Sequence, residues 1–136
     1  MTRFFITLQQ GVDFVIKNIA RMYGGEIFIP KIPSMRIVDV ANALAPNLPT
    51  KIIGIRAGEK LHEIMITADD SRLTLEFDDH FVIKPTIKFS HLDDDYATNK
   101  LGEQGKEVCE DFEYSSDKNS EWMSKEQFLD LIVDNE

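Results

Sequence analysis

The pattern most capable of chemistry in this sequence is the Arg-Ala-Gly-Glu segment of residues 56–59, which follows the apolar run 51–55. The guanidinium of Arg56 offers a planar fork of donors that matches phosphate oxygens. Gly58 permits a tight turn and a close approach of the backbone to a ligand. The Glu59 carboxylate can accept two hydrogen bonds from a vicinal diol, such as that of a ribose. These residues fit a nucleoside diphosphate. Turns closed by an ion pair have the same pattern, so both interpretations stay open on this motif alone.

Hydrophobic periodicity and turn residues predict the elements that must position this motif. Helices are predicted over residues 8–23, from an N-cap at Ser34 and over residues 69–77, and a helix or helical turn is predicted to begin over residues 61–66. Strands are predicted over residues 26–30, 51–55 and 81–84, and the almost continuously apolar run 51–55 is expected to be buried. This alternation predicts an α/β fold of a few strands with flanking helices and parallel pairing. No glycine-rich dinucleotide loop follows any predicted strand, so the fold looks like part of a larger one.

The charge is unevenly distributed along the 136 residues, whose net charge is −9 and whose hydrophobic share is 43%. Residues 1–85 are balanced, and the whole acidic excess lies in residues 86–136. We therefore expect a ligand-binding lobe over 1–85 and an acidic tail over 86–136. An acidic chain without a basic patch does not favour nucleic acid or anionic lipid as a partner.

Three further sequence features bear on location and on the tail. No apolar run is long enough to span a membrane, and no signal-peptide core is present, so we expect a cytoplasmic protein. The lone Cys109 is expected to be a partly buried thiol. Ser124 and Gln127 form a capping box, which predicts a last helix with Phe128 on its apolar face and hence a docked tail.

Four segments in order resemble one known family: residues 1–7, 25–35, 54–63 and 112–117. Together they are similar to the C-terminal part of inverting UDP-N-acetylglucosamine 4,6-dehydratases. These are lyases of the extended short-chain dehydrogenase/reductases, close to the CapD-like polysaccharide biosynthesis proteins. The resemblance covers residues 1–84 strongly and residues 112–132 moderately.

The resemblance implies a division of labour in the parent enzyme. A Rossmann part would bind NADP and carry the catalytic residues, while the C-terminal part would hold the UDP-sugar. The reaction oxidises the sugar at C4, eliminates water across C5 and C6, and returns the hydride to C6 with inversion at C5. Arg3 and Arg56 match arginines expected on the diphosphate, and Glu59 matches the acid that holds the ribose hydroxyls. The sequence contains neither the NADP loop nor the catalytic residues, so no catalytic residue, cofactor or metal site is assigned to it.

Two other groups of residues invite different chemistry. Tyr96 and Lys100 spell the Tyr-x-x-x-Lys signature of the superfamily, but they follow the substrate motif and lie in an acidic, loop-like stretch, so we interpret the match as chance. Lys60, His62 and Glu63 lack metal-ligand spacing, and packing roles are the more economical interpretation of them.

The aspartate pairs and triplet at 69–70, 78–79 and 93–95 lack the alternating ligands of a calcium loop and are interpreted as solvated caps and turns.

The sequence thus predicts a UDP-sugar-binding portion of an NADP-dependent dehydratase of bacterial surface polysaccharide or flagellin glycan synthesis, which is not catalytic alone. The alternative is a non-catalytic, self-associating module with contacts through Phe4, Phe5 and the helix 8–23, because a lobe without its partner exposes apolar surface. A third hypothesis pairs the chain with a separately encoded Rossmann half.

Overall fold

The computed structural model of the protein describes residues 1–87 and 95–133. Its elements are β1 (Thr2–Phe4), α1 (Leu8–Arg21), β2 (Ile27–Pro30), β3 (Ser34–Arg36), α2 (Ile37–Leu44), β4 (Ile64–Ile66), a 3₁₀ helix (Ala68–Leu73), β5 (Thr74–Glu76), β6 (His80–Ile83), β7 (Lys106–Glu107), β8 (Tyr114–Ser115) and α3 (Lys125–Val133). The predicted mixture of small sheets and helices is confirmed. None of the helices in the described residues is long and apolar enough to cross a bilayer.

The described residues form two compact units, each assembled from separate stretches of chain. Unit 1 contains Met1–Thr7, Ile32–Ile64 and the described residues from Ser115 onward, and unit 2 contains Leu8–Lys31 and the described residues of Met65–Tyr114. The predicted division at residue 85 concerns ligand binding and stays a prediction.

Unit 1 is built on the antiparallel pair of β1 and β3, in which Arg3 lies opposite Met35. α2 follows β3 directly and packs against α3. Phe128 of α3 is buried, and its ring meets that of Phe5 edge-on at 5.5 Å between centroids. This aromatic pair fixes the last helix on the unit and supports the prediction of a docked tail.

The predicted capping box at the start of α3 is confirmed. The Ser124 N–H donates to Gln127 Oε1 at 2.8 Å, and the Gln127 N–H donates to Ser124 Oγ at 3.2 Å. The predicted N-cap at Ser34 is wrong, because Ser34 lies in β3 and is fully buried. Its Oγ accepts a hydrogen bond from Asn119 Nδ2 at 3.0 Å, and Arg36 stands at the N-cap of α2 without a side-chain cap bond.

Unit 2 is built on a four-stranded antiparallel sheet in the order β2-β6-β5-β7. β5 and β6 form a hairpin whose turn is closed by the Phe77 N–H donating to the His80 carbonyl at 2.9 Å. The core of the sheet consists of Leu75, Phe77 and Val82. Cys109, which we expected to be partly buried, is exposed in this unit.

The predicted first helix exists, but it buries the opposite face from the one that its pattern indicates. Asn18 and Arg21 of α1 are 5% and 1% exposed, whereas the apolar Val15, Ile16 and Ile19 are 61–65% exposed. The cause is a cluster of opposite charges: Arg21 donates through Nη2 to both carboxylate oxygens of Asp79, at 2.9 and 3.0 Å. α1 therefore joins unit 2 by an ion pair and leaves its apolar face without a partner among the described residues.

Four predictions about strands and helices differ from the structure. The predicted parallel pairing is wrong for the β1–β3, β2–β6, β5–β6 and β5–β7 pairs, which are antiparallel. The run 51–55 is neither a strand nor buried, and Ile52 is 96% exposed. An apolar run becomes a strand only where a neighbouring strand pairs with its backbone, and none does so here within residues 1–87 and 95–133. The predicted helix 61–66 is replaced by a bend and β4, and the predicted helix 69–77 by the 3₁₀ helix and β5.

Candidate functional site

Arg56 and Glu59 lie in one exposed turn of unit 1, residues 56–59, which we call the candidate turn. The Glu59 N–H donates to the Arg56 carbonyl at 3.1 Å, and the Arg56 N–H donates to Glu59 Oε2 at 3.1 Å. Gly58 has a φ of 80°, which is the left-handed conformation that glycine adopts without strain. The structure therefore confirms that Gly58 permits a tight turn at this position.

The Arg56 guanidinium does not close the turn. Glu59 binds the backbone N–H of Arg56, and the guanidinium has no hydrogen-bond or ion-pair partner among residues 1–87 and 95–133. The second carboxylate oxygen of Glu59 likewise remains available to a donor such as a hydroxyl group. A planar cation and a carboxylate are thus presented to solvent within four residues, which matches the chemistry of a phosphate beside a diol.

Arg3 is bound to the segment that follows the candidate turn, residues 60–63, which we call the anchor segment. Its Nη2 donates to the Lys60 carbonyl at 2.9 Å, and its Nη1 donates to the Leu61 carbonyl at 3.3 Å. Its Nε lies 3.3 Å from Glu63 Oε1. The structure therefore brings Arg3 to the residue directly after Glu59, but it directs most of the Arg3 donors to protein acceptors. A phosphate contact by Arg3 stays a prediction.

Thr2 and Ser116 were not singled out by the sequence, yet they contact the anchor segment. Thr2 Oγ1 lies 2.8 Å from His62 Nδ1 and 2.6 Å from Ser116 Oγ. Ser116 Oγ accepts from the Glu63 N–H at 2.9 Å. The packing interpretation of His62 and Glu63 agrees with these contacts. No spacing rule could have found the group, because its members are far apart in the chain.

An apolar groove of about 590 Å³ lies beside this part of unit 1. It is lined by Met1, Ile37, Val38, Ala41, Asn42, residues 50–55 and Leu61. The run 51–55, which leads into the candidate turn, thus forms one of its walls. Such a surface suits the apolar face of a ring better than another charge.

The alternative sites do not gain support from the structure. Tyr96 and Lys100 lie in turns rather than on a helix, and both contact Tyr23: the two tyrosine rings are 6.0 Å apart, and Lys100 Nζ is 5.5 Å from the Tyr23 ring centroid. In the described part of the chain, no three histidine, cysteine, aspartate or glutamate residues are grouped to hold a metal ion. Asp93 and Asp94 lie outside the described residues.

Comparison with known proteins identifies the family of this chain. The chain belongs to the polysaccharide biosynthesis protein family, whose model matches residues 1–85. Among its relatives is the inverting UDP-N-acetylglucosamine 4,6-dehydratase of Campylobacter jejuni, which is 61% identical over 132 residues, or 97% of this chain and 40% of the relative. The corresponding protein of a second Campylobacter jejuni strain is 59% identical over the same shares. The predicted resemblance is confirmed, and the chain spans about two-fifths of the length of these relatives.

A solved structure extends this likeness to the fold. The crystal structure of Pen from Bacillus thuringiensis matches 99% of this chain and 39% of its own, with a TM-score of 0.73 and 28% identity. A UDP-glucose 4-epimerase of Rickettsia massiliae is 27% identical over 138 residues, which is 98% of this chain and 38% of that protein. The predicted fold class, an incomplete C-terminal portion of an extended short-chain dehydrogenase/reductase, is confirmed.

Proposed function

We propose that this chain is the UDP-N-acetylglucosamine-binding portion of an NADP-dependent 4,6-dehydratase and that it is not catalytic alone. The observation that carries the proposal is the pair of exposed groups in the candidate turn: the Glu59 carboxylate and the Arg56 guanidinium, which has no partner among residues 1–87 and 95–133. The names of the relatives from Campylobacter jejuni support the choice of nucleotide sugar. The sequence contains no glycine-rich dinucleotide loop, so NADP would bind to another part of the whole enzyme.

In this proposal the two ends of the turn have different tasks. Arg56 binds the diphosphate through charge-assisted hydrogen bonds, which are the strongest that a side chain can offer to this group. Glu59 accepts from the ribose hydroxyls with the carboxylate capacity that the Arg56 N–H leaves unused. Arg3 adds positive charge next to the turn and holds the anchor segment through the Lys60 carbonyl. The groove of about 590 Å³ adds apolar contact area beside these polar groups.

The wider setting follows from the family. A 4-keto-6-deoxy hexosamine nucleotide, the product implied by the resemblance, is an intermediate for surface polysaccharide or flagellin glycans. We place the protein in the cytoplasm, where nucleotide sugars and NADP are available.

Calorimetry with UDP and UDP-N-acetylglucosamine tests the proposal. We expect weak binding by the folded chain and a loss of about tenfold to a hundredfold on Arg56→Ala, because a hydrogen bond to a charged group contributes about 1.5–3 kcal/mol. The control is Arg72→Ala, which removes another exposed arginine from unit 2 and should leave affinity unchanged. Equal affinities for the wild type and both variants would refute the site.

A comparison of UDP with 2′-deoxy-UDP tests the role of Glu59 separately. The wild type should prefer UDP by about tenfold or more, because a hydrogen bond from the 2′-hydroxyl to a charged carboxylate contributes about 1.5 kcal/mol or more. Glu59→Ala should abolish this preference. Glu59→Gln is the control for the turn itself, because its amide oxygen can still accept from the Arg56 N–H. A preference that persists in Glu59→Ala would assign the ribose contact to another residue.

A second candidate function is assembly through α1, and one observation favours it. Val15, Ile16 and Ile19 of α1 are more than half exposed and form one apolar stripe. A second copy of the chain or a separately encoded Rossmann half could cover this stripe. The predicted contribution of Phe5 is weakened, because its ring packs against Phe128.

Light scattering over a range of concentrations tests self-association. We expect concentration-dependent growth in mass for the wild type and a monomer for Ile16→Lys, which places a charge in the stripe. Val133→Lys, a change of the same kind at an exposed position of α3, serves as the control. A wild-type monomer at every concentration would rule out self-association.

A further inference from the structure

A chain of hydrogen-bonded polar groups, buried at Thr2 and Ser116, ties the acidic tail to the anchor segment. Thr2 is 5% exposed and Ser116 is fully buried, so their hydroxyl groups have each other and the protein as partners rather than bulk water. The chain runs from His62 Nδ1 through Thr2 Oγ1 to Ser116 Oγ and on to the Glu63 N–H, with distances of 2.8, 2.6 and 2.9 Å. We propose that Thr2, His62 and Ser116 are positioning residues that set the orientation of the candidate turn for its ligand. The ligand role in this inference rests on the proposed function.

The backbone of the anchor segment is held from two sides. From β1, the Thr2 N–H donates to the Leu61 carbonyl at 2.9 Å. From the tail, the Ser116 N–H donates to the Glu63 carbonyl at 2.8 Å, so Ser116 and Glu63 exchange two hydrogen bonds. Together with the contacts of Arg3, these bonds fix residues 60–63 on unit 1.

The candidate turn, in contrast, has no such attachment of its own. Its hydrogen bonds within the described residues are the two between Arg56 and Glu59, and residues 51–60 are all exposed. The run 51–55 on its other side pairs with no strand in the described part of the chain. The direction in which the turn presents its charges is therefore set mainly at its C-terminal end, where the anchor segment begins.

The hydrogen positions in the chain follow from counting donors. The Glu63 N–H donates to Ser116 Oγ, the Ser116 O–H donates to Thr2 Oγ1, and the Thr2 O–H donates to His62 Nδ1. This order gives every donor an acceptor and requires the imidazole hydrogen to be on Nε2. The reverse order would leave the buried Ser116 O–H without an acceptor among the described residues, which costs free energy. Ordered in this way, the chain specifies one orientation of the His62 ring.

The same atoms do not form a nucleophilic triad. Asp117 Oδ1 lies 4.0 Å from His62 Nδ1, the nitrogen that already contacts Thr2, so it does not orient the ring from the opposite side. Thr2 and Ser116 are also too buried to meet a substrate. The group acts through the anchor segment and not on a reacting atom.

Paired variants separate the hydroxyl and the ring nitrogen from side-chain volume. Thr2→Val keeps the shape of threonine and removes the hydroxyl, whereas Thr2→Ser keeps the hydroxyl. His62→Asn keeps an acceptor where Nδ1 stands, whereas His62→Gln places its amide near the position of Nε2. We expect Thr2→Val and His62→Gln to weaken UDP binding about tenfold, and Thr2→Ser and His62→Asn to retain most of it.

Hydrogen–deuterium exchange of the peptides that cover residues 51–63 provides a readout without ligand. Exchange there should rise in Thr2→Val and His62→Gln and stay near the wild-type level in the two rescue variants, while the peptides of unit 2 stay unchanged in all four. If Thr2→Val fails to fold, the more exposed His62 pair supplies the same comparison. If residues 51–63 exchange at the wild-type rate in both Thr2→Val and His62→Gln, the inference is overturned. It is also overturned if these residues exchange faster in the two variants while their affinity for UDP is unchanged. If the wild type binds no UDP, the proposed function fails. The exchange data still decide whether the hydrogen bonds among His62, Thr2 and Ser116 order the turn.

Discussion

Replacing Arg21 by methionine tests how much the buried charge cluster of unit 2 stabilises the fold. Arg21 is 1% exposed, and its Nε donates to Glu103 Oε2 at 2.7 Å while its Nη2 binds Asp79 and Glu103 Oε1. Asn18 Oδ1 accepts a further bond from Nη1 at 3.1 Å. Methionine preserves the apolar stem but supplies no donor, so each carboxylate loses its arginine partner, while Asp79 keeps Lys17 and His80 and Glu103 keeps Asn99.

The expected loss in free energy of unfolding for Arg21→Met lies between the values for a fully buried and an exposed ion pair. Removing one partner of a fully buried ion pair costs about 3–5 kcal/mol, because an uncompensated charge remains. The Asp79 and Glu103 side chains are 47% and 38% exposed and can be hydrated after the substitution, so the loss should be about 2 kcal/mol. Lys17→Met is the matched control, since Lys17 Nζ contacts the same Asp79 at 2.8 Å but its side chain is 50% exposed. An exposed pair of this kind contributes about 0.5 kcal/mol.

Urea unfolding followed by far-ultraviolet circular dichroism measures both values. The effect of Lys17→Met should vanish in about 0.5 M NaCl, whereas that of Arg21→Met should persist, because salt screens exposed charges more than buried ones. We reason that the burial of a cation, and not its distance from Asp79, determines how much it stabilises the fold. Equal and small losses of unfolding free energy in Arg21→Met and Lys17→Met would refute this reasoning.

Four further substitutions probe other features of the fold. Burial lowers the pKa of His80 even though its bond to a carboxylate opposes this shift. The unfolded chain therefore takes up the proton first, stability is lost as the pH falls below about 6.5, and His80→Gln should reduce this loss in unfolding curves between about pH 7.5 and 5.5. Ser124→Ala should lower the free energy of unfolding by about 1 kcal/mol by removing the cap of α3, and an unchanged urea midpoint would contradict the role of the box. Gly105→Ala should cost about 2 kcal/mol because its Cβ would lie 2.5 Å from the Phe77 ring, whereas Gly11→Ala, with nothing within 4 Å, should raise thermal stability.

Local signals in the sequence predicted the parts of the fold that depend on neighbouring residues. The α1 helix and the Ser124 capping box are examples, because each is determined by propensity and by bonds that close within a few residues. The composition of the β2 segment also predicted a strand, although its backbone partner is the distant β6. The candidate turn belongs to the same class, since Gly58 and the bond from the Arg56 N–H to Glu59 are local as well.

The failed predictions depended on partners that are distant in sequence. The run 51–55 has the composition of a buried strand, but composition does not say whether another strand pairs with it. The burial of Arg21 requires Asp79 and Glu103, 58 and 82 residues away along the chain. The role of Ser116 likewise depends on Thr2, 114 residues away. No periodicity within a segment contains this information.

The interleaved course of the chain has a consequence for how the protein matures. β1 and the anchor segment belong to unit 1 together with the stretch that begins at Ser115. During synthesis β1 can already pair with β3, but Thr2 gains its contact with Ser116 only after the stretch from Ser115 onward has been made. We expect unit 1 to form late and slowly, since contacts between sequence-distant residues carry a large loop-closure cost. A nascent chain stalled before Ser115 would lack the contacts of Ser116 with Thr2 and Glu63, so the anchor segment would be held from the β1 side alone.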